Sequence, residues 1–519
     1  MKINNFQIEN FKKVDLLVVI LFFIGVFSFL FFTGTLNSGY HFTDDHEIIR
    51  INTDLESTSF LETSANWLKS DLNIRFRPMY YLHRIFEIKL FISDFLLLSL
   101  YTGLLASLSF SFFYFGARKL RYTVFESLLF VFLAFVGSQT VIWWRLGPAE
   151  TIGIFFLGLS FFFMARCVNK DKYLLNTISF GIFLILSSLC KESFVVIIPA
   201  FIAYKIWNES RVFDIPFKKS IQNNFLLIVP FAAMIVEIWA IIFVVGTNNL
   251  GYAGTSSSTS ELLKGVQMIF TREDMLFVWV ELLAVVVFLY LLSFVFFNSE
   301  KLARFKKSIK EISLPLTFLF LVLLPNLFLY AKSGMTTHYL LPTTLGIAFF
   351  IISILKNTDN NILRKAGFLA CAVFIFVSSD IAKKTAYAFT SEGLGTNIFL
   401  SAVEKNAQSN SKILMVIDPI TGYEFTWSIK TYLSSKDIDN LYVYAIPRDY
   451  SSDFERVLKS GWDKWFENKT FNEIGGQPDL IMIVYKSQSE GFFDQSNIPE
   501  SNYTNLIEDS NPHAVYIKK

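Results

Sequence analysis

The chain has 519 residues, 53% of them hydrophobic, and a mean hydropathy of +0.45. Soluble domains rarely sustain that value, and a net charge of +2 gives no global pull toward nucleic acid. The three cysteines, Cys167, Cys190 and Cys371, lie in or beside apolar runs without metal-ligand spacing and read as small packing residues.

Lys12 and Lys13 precede an apolar run over 14–33, longer than a usual signal-peptide core. No small-x-small cleavage site follows closely, so the run reads as an uncleaved anchor. Further apolar runs follow at 91–115, 123–142, 149–166, 174–190, 193–208, 224–246, 274–297, 314–331, 338–355 and 365–382. Each is near the ~20 residues needed to cross a bilayer. The expected fold is therefore an α-helical polytopic membrane protein with about eleven transmembrane helices. The 59 Phe residues suit lipid-facing helices and name no activity.

Lys and Arg set the orientation. With the N-terminus cytoplasmic, the cytoplasmic segments hold 21 of them and the external loops 11, six of those in the long first loop. An odd number of spans then places the C-terminus outside, on the non-cytoplasmic side. The external loop 247–273 carries Gly251-Tyr252-Ala253-Gly254 and the run Thr255–Ser260. It reads equally as a lid or a plain connection.

After about Lys383 the chain turns polar. Short β runs at 413–417, 441–444 and 480–485 alternate with helical patterns at 426–433 and 453–466. That alternation predicts a small α/β domain over 386–519, following a membrane domain over 1–385 that includes the external loop 34–90. No Gly-rich phosphate loop follows a strand, so no nucleotide site is assigned.

On this topology the chemistry-bearing residues gather at the outer leaflet. Thr43-Asp44-Asp45-His46-Glu47 follows the first span. A carboxylate here can remove a proton from a hydroxyl. The same run also reads as a cap for a helix starting near His46. His46 beside these acids is a candidate metal ligand, so a divalent metal stays open. Arg75 and Arg77 flank Phe76 before Pro78, and in an extended segment would share a face suited to one phosphate group. A lipid head-group anchor is the alternative. Arg145, Glu150, Lys332 and His338-Tyr339 fall on the same side. Lys191-Glu192 interrupts an otherwise apolar hairpin, either as a self-paired tip in water or with Lys191 turned toward a phosphate. Glu237, inside the seventh span, must be paired, protonated or facing a cavity.

These motifs resemble the GT-C superfamily, polytopic glycosyltransferases that use polyprenyl-phosphate sugars. The resemblance rests on Thr43-Asp44-Asp45-His46-Glu47, Leu189-Cys190-Lys191-Glu192-Ser193 and His338-Tyr339-Leu340-Leu341-Pro342, and covers about 1–385. Among bacterial members the chain looks most like glucosyltransferases that modify O-antigen of lipopolysaccharide or other cell-envelope glycans. Relatives often have Arg before the Tyr of the last motif. Here it is His338, which unperturbed titrates near ~6.5.

The resemblance implies transfer of a hexose, glucose by the subfamily likeness, from a polyprenyl-phosphate donor to a surface glycan or lipid-linked acceptor. Asp44, with Asp45, would serve as the catalytic carboxylate. Arg75, Arg77, Lys191, His338 and Tyr339 would hold the phosphate, supported by Glu47, Glu192 and Glu237. The implied partners are the donor, the acceptor, the bilayer, a donor synthase and a flippase, with no nucleic acid and no certain cofactor. Two rival classes remain: an O-antigen ligase or polymerase, which usually carries its large external loop late in the chain, and a non-enzymatic lipid or polysaccharide flippase, expected to line a midplane path with its charges.

Overall fold

The computed structural model describes residues 13–167, 172–246, 259–271, 277–295, 301–333, 337–418, 423–446 and 469–519. The expected lid over 247–273 falls largely, and the helix at 453–466 wholly, outside the described residues. The chain divides into two compact units. The first comprises 1–32, 64–86 and 100–386; the second comprises 33–63, 87–99 and 387–519.

The first unit is helical. Among the described residues, six helical segments are long and apolar enough to cross a membrane: Lys13–Thr33, Phe95–Lys119, Phe225–Val245, Lys310–Tyr330, His338–Lys356 and Asn361–Asn406. Shorter apolar helices, among them Val124–Phe135 and Tyr173–Ser188, fill the places of other expected spans. The expected span 123–142 is a twelve-residue helix, Val124–Phe135, followed by a 3₁₀ segment, Ser138–Trp143. Its start is fixed by a capping box in which Thr123 and Glu126 satisfy each other's backbone N–H groups. The expected span 193–208 breaks into Glu192–Val195 and Ile198–Val212.

Leu341–Lys356 is the central helix, buried along almost its whole length. Phe349 is its hub. Its ring meets those of Tyr122, Phe130, Phe161, Tyr204 and Phe318 at centroid distances of 5.4–6.1 Å. Many Phe residues thus point inward rather than toward lipid, Phe113, Phe130, Phe135, Phe180 and Phe201 being fully buried. The physical reason is that lipid tails are as apolar as Phe, so helices associate through close packing rather than through expulsion from water. Glycine makes room for it. A Cβ at Gly116 would lie 2.4 Å from the Phe161 ring, and one at Gly153 2.4 Å from Phe194. At the other end of the first helix, buried Asp15 accepts from the Tyr114 hydroxyl at 2.6 Å and from Arg118 Nε at 2.9 Å.

The second unit is built on a six-stranded sheet. Its strands are β1 (Ile413–Ile417), β2 (Leu441–Ala445), β3 (Lys469–Thr470), β4 (Leu480–Ile483), β5 (Tyr503–Asn505) and β6 (Ala514–Lys518), in the order β3-β2-β1-β4-β6-β5. The strands β3, β2, β1 and β4 run parallel, while β6 pairs antiparallel with β4 and β5. Every residue of β1 is buried, as a continuous apolar run in a parallel sheet requires. The three expected strands and the helix Tyr423–Ser434 are all present.

One face of this sheet packs against residues far away in sequence. Tyr40 and Phe42 join Phe399, Leu400, Val403 and the inward residues of β1 in one core cluster. The Tyr40 hydroxyl donates to the Ser428 carbonyl at 2.9 Å. Asn397 clamps the same segment: its Nδ2 donates to the Ser38 carbonyl at 2.9 Å, and its Oδ1 accepts from Tyr40 N at 3.3 Å. Gly39 has φ +74, and a Cβ there would lie 2.5 Å from Asn397 Nδ2. Gly39→Ala therefore meets both backbone strain and a clash. It is expected to destabilise the second unit by more than about 1 kcal/mol, read as a lowered Tm in detergent; an unchanged Tm contradicts the clamp.

His513 is fully buried against the rings of Phe42, Phe399 and Tyr485, and its Nδ1 hydrogen-bonds the Val484 carbonyl. Burial pushes its pKa below 6.5; the Val484 bond opposes this and nearby Lys486 adds to it. The unfolded chain therefore binds the proton more readily than the folded one. The stability this neutral ring contributes is complete above about pH 6.5 and is lost as pH falls from there toward the lower folded pKa. Denaturation midpoints measured from pH 7.5 to 5 should fall, and His513→Phe should flatten that slope. A slope unchanged by the substitution removes His513 as its source.

Candidate functional site

In the first unit, a break between two helical segments presents the lysine expected to meet a phosphate. The helix Tyr173–Ser188 ends at Leu189, and Met79 N donates to the Leu189 carbonyl at 3.0 Å. Lys191 then adopts an extended backbone, φ −163 and ψ 147, before the turn Glu192–Val195. Its ammonium meets Glu150, the first residue of the helix Glu150–Arg166, with Nζ 2.5 Å from Oε1. A carboxylate suits that place because the N-terminal N–H groups of a helix favour negative charge. The loop leading to Glu150 is tied down by Arg84, whose Nη1 donates to the Leu146 carbonyl at 2.6 Å. The Tyr80 hydroxyl donates to the next carbonyl, Gly147, at 2.8 Å.

Two more expected residues join this pair. His338 and Tyr339 lie in the 3₁₀ segment Thr337–Leu340. His338 Nε2 is 3.9 Å from the same Glu150 oxygen. Lys191 Nζ sits 3.8 Å above the centre of the Tyr339 ring, which stacks on Tyr330 at 4.8 Å. Lys191 is therefore held by a carboxylate on one side and an aromatic face on the other. Glu150 is fully buried and Lys191 4% exposed. Among the buried polar atoms of this unit without a hydrogen-bond partner among the described residues are Glu150 Oε2, Glu192 Oε2 and Asn326 Nδ2. Glu237 acts behind the site: its Oε1 accepts from Ser188 Oγ at 2.8 Å, at the helix end that leads to Lys191.

The two arginines differ in their surroundings. Arg77 is engaged by Asp71, Nη2 to Oδ1 at 3.1 Å and backbone N to Oδ2 at 2.8 Å, and its guanidinium lies over the rings of Tyr80 and Tyr81. Arg75 is partly exposed, and its side chain has no ion pair among the described residues. Both precede Pro78, the first residue of the helix Pro78–Phe91, where proline's missing N–H costs nothing. The side chain of Lys332 lies outside the described residues.

The acidic run belongs to the second unit. Asp44 has φ 67, a left-handed backbone that Asp tolerates better than most residues, and its N–H donates to Glu424 Oε1 at 3.0 Å. Its carboxylate is half-buried, with no ion pair or hydrogen bond among the described residues. Asp45 is buried and accepts from His41 N at 2.8 Å. The expected helix does begin at His46, yet Asp45 makes no side-chain cap bond. Its carboxylate turns back to brace the loop instead. His46 is buried against Trp427 at 4.8 Å, and Glu47 lies in the first turn of its helix. Among the described residues, no three His, Cys, Asp or Glu side chains converge in a metal-like cluster.

Lys191, His338 and Tyr339 thus converge in the first unit, with Glu237 behind them. Asp44, Asp45, His46 and Glu47 share one short segment of the second. The sequence named Glu150 but gave no sign that it pairs with Lys191, because 41 residues separate them. Asn397 and Glu424, which shape the Asp44 loop, carried no local motif at all.

No family model matches this chain, and no curated protein does. Solved structures share its fold, two of them forms of one protein. One is ArnT from Cupriavidus metallidurans bound to undecaprenyl phosphate, with a TM-score of 0.51, 9% identity, and coverage of 96% of this chain and 97% of that one. The other is the same protein in the apo state, with a TM-score of 0.53, 10% identity, and coverage of 97% and 98%. The chain is a polytopic, mostly helical membrane protein with a small sheet-containing domain, similar in fold to ArnT over nearly its whole length.

The buried pair makes a measurable demand. Removing one partner strands the other's charge, so Glu150→Ala and Lys191→Met should each destabilise by about 3–5 kcal/mol. The double variant Glu150→Leu/Lys191→Met should cost clearly less than the two singles combined. Additive losses in thermal unfolding contradict a direct pair.

Proposed function

We propose that the protein is a membrane glycosyltransferase of the GT-C type, moving a hexose from a polyprenyl-phosphate donor to a surface glycan or lipid-linked acceptor at the outer face of the inner membrane. The observation that carries this reading is the buried Lys191–Glu150–His338 cluster, an expensive charge arrangement in an apolar helical unit. Likeness in fold to a protein crystallised with undecaprenyl phosphate supports the donor class.

The chemistry is a single displacement. The acceptor oxygen forms a bond to the sugar's anomeric carbon, and the bond from that carbon to the phosphate oxygen breaks. Asp44 takes the hydroxyl proton, and its carboxylate, unpaired among the described residues, suits that task. Negative charge grows on the departing polyprenyl phosphate, where a fixed cation helps most in a low-dielectric site. Lys191 supplies that cation, and Glu150 and Tyr339 hold it in place before the donor arrives. Arg75, whose side chain has no ion pair among the described residues, would add a second contact more readily than Arg77, which Asp71 already engages. The cytoplasmic N-terminus and the external C-terminal domain complete this reading.

Purified protein supplied with synthetic prenyl-phosphate glucose and an acceptor glycan tests it. Wild-type protein should release prenyl phosphate in step with glycan labelling. Asp44→Asn should lower turnover by about 10²–10⁴ while leaving donor binding intact, and Asp45→Asn should lose less activity and more stability. Full activity in both variants rejects the assigned base, and no transfer by wild type with any prenyl-phosphate sugar rejects the function.

A further inference from the structure

The charges around Glu150 do not balance in favour of an anion. Lys191 and His338 both reach one oxygen of Glu150, Nζ at 2.5 Å and Nε2 at 3.9 Å. A single carboxylate thus stands between two basic groups. Glu192, the residue after Lys191, is a second buried carboxylate. Glu150 and Glu192 both act electrostatically on the buried Tyr330 hydroxyl, whose ring stacks on Tyr339, so both belong to this neighbourhood. With His338 neutral, two carboxylates face one ammonium. Adding a phosphate to an apolar site of that sign brings a further negative charge without a counter-charge, which is costly at low dielectric. A proton on His338 makes the two signs equal.

The surroundings of His338 narrow the choice of group. It lies in the 3₁₀ segment Thr337–Leu340 with Tyr339, whose ring its own meets edge-on at 4.7 Å. The segment Ser138–Trp143 packs against it and carries no ionisable side chain. The central helix Leu341–Lys356 has its lone ionisable residue, Lys356, at the far end. Among the described residues, the ionisable groups on its side of the cluster are Glu150, Lys191, Glu192, Tyr330 and Tyr339. Of these side-chain types, only imidazole ordinarily changes charge between about pH 5 and 8. Access favours it too. The His338 side chain is 11% exposed, against 5% for Lys191 and none for Glu150.

We propose that this cluster binds a lipid-linked phosphate together with one proton, which His338 takes up, so that donor affinity falls as pH rises through neutrality. The inference rests on the reading of the cluster as a phosphate site and adds the regulation of that site. Linkage makes the effect reciprocal: the proton favours the phosphate as much as the phosphate favours the proton. Lys191 remains committed to Glu150, and the imidazolium supplies the additional charge.

Calorimetric titration of prenyl-phosphate glucose into detergent-solubilised protein, without acceptor, tests this. Runs between pH 6 and 8 in buffers of different ionisation heat read both affinity and proton uptake. The donor phosphate is a diester and keeps its single negative charge over that range, so the ligand adds no titration of its own. Wild type should bind at least about fivefold more weakly at pH 8 than at pH 6 and take a proton from the buffer on binding. The proton count needs no variant. His338→Gln, which stays polar but cannot carry the charge, should bind weakly at every pH with no uptake. His338→Arg, charged throughout, should bind without pH dependence and more tightly than wild type at pH 8. Saturable binding to wild type with equal affinity at both pH values and no uptake overturns the proposal and leaves the phosphate site standing. A pH dependence that survives in His338→Gln, as it would if Glu192 took the proton, overturns it too. Absence of saturable donor binding at every pH rejects the phosphate site itself.

Discussion

A lysine buried in an apolar helical unit must be neutralised where it stands, and in this protein Glu150 does so at 2.5 Å. Much local structure follows from that requirement. The helix Tyr173–Ser188 stops short so that Lys191 can take an extended backbone. The helix Glu150–Arg166 begins with its carboxylate in the field of its own N-terminus. Arg84 and Tyr80 spend their donors on the two carbonyls of the loop before Glu150. His338 and Tyr339 then close around the pair from the segment before the central helix. A charge this costly is rarely kept for stability alone, since a well-packed apolar pair would serve at least as well. Its retention favours a ligand of opposite charge.

The acidic segment is governed by a different constraint. The backbone around Asp44 is irregular, and irregular backbone holds its shape only if something else satisfies it. Asn397 reads three backbone groups of the segment 38–40, Asp45 turns back to His41 N, and Glu424 receives Asp44 N. Among the described residues, the carboxylate of Asp44 is left unengaged in the middle of this scaffold. That combination, a fixed backbone with an uncommitted side chain, is what a general base needs.

Much of this was legible in the sequence, for identifiable reasons. Apolar runs near bilayer length announced the helices, and the unbroken Ile413–Ile417 run announced a strand. Lys191 stood out because two charges interrupted a hairpin that needed none. The role of Phe was not legible, because a residue equally at home in lipid and in a core gives no facing signal; only the packing around Phe349 decides it. The grouping of 33–63 with 387–519 was hidden for another reason. The contact from Tyr40 to Ser428 spans 388 residues and leaves no local period to read. The Asp71 partner of Arg77 was not legible either, because it lies six residues away around a turn, a spacing that no regular element pairs.

The central claim is that the Lys191 cluster receives a lipid-linked phosphate. Phosphorus NMR of undecaprenyl phosphate titrated into the detergent-solubilised protein reads that contact directly. Wild type should move the phosphate resonance in a saturable way. The double variant Glu150→Leu/Lys191→Met, which keeps the site neutral, should leave that resonance at its free position. An identical saturable shift in both proteins would place the phosphate elsewhere and contradict the account.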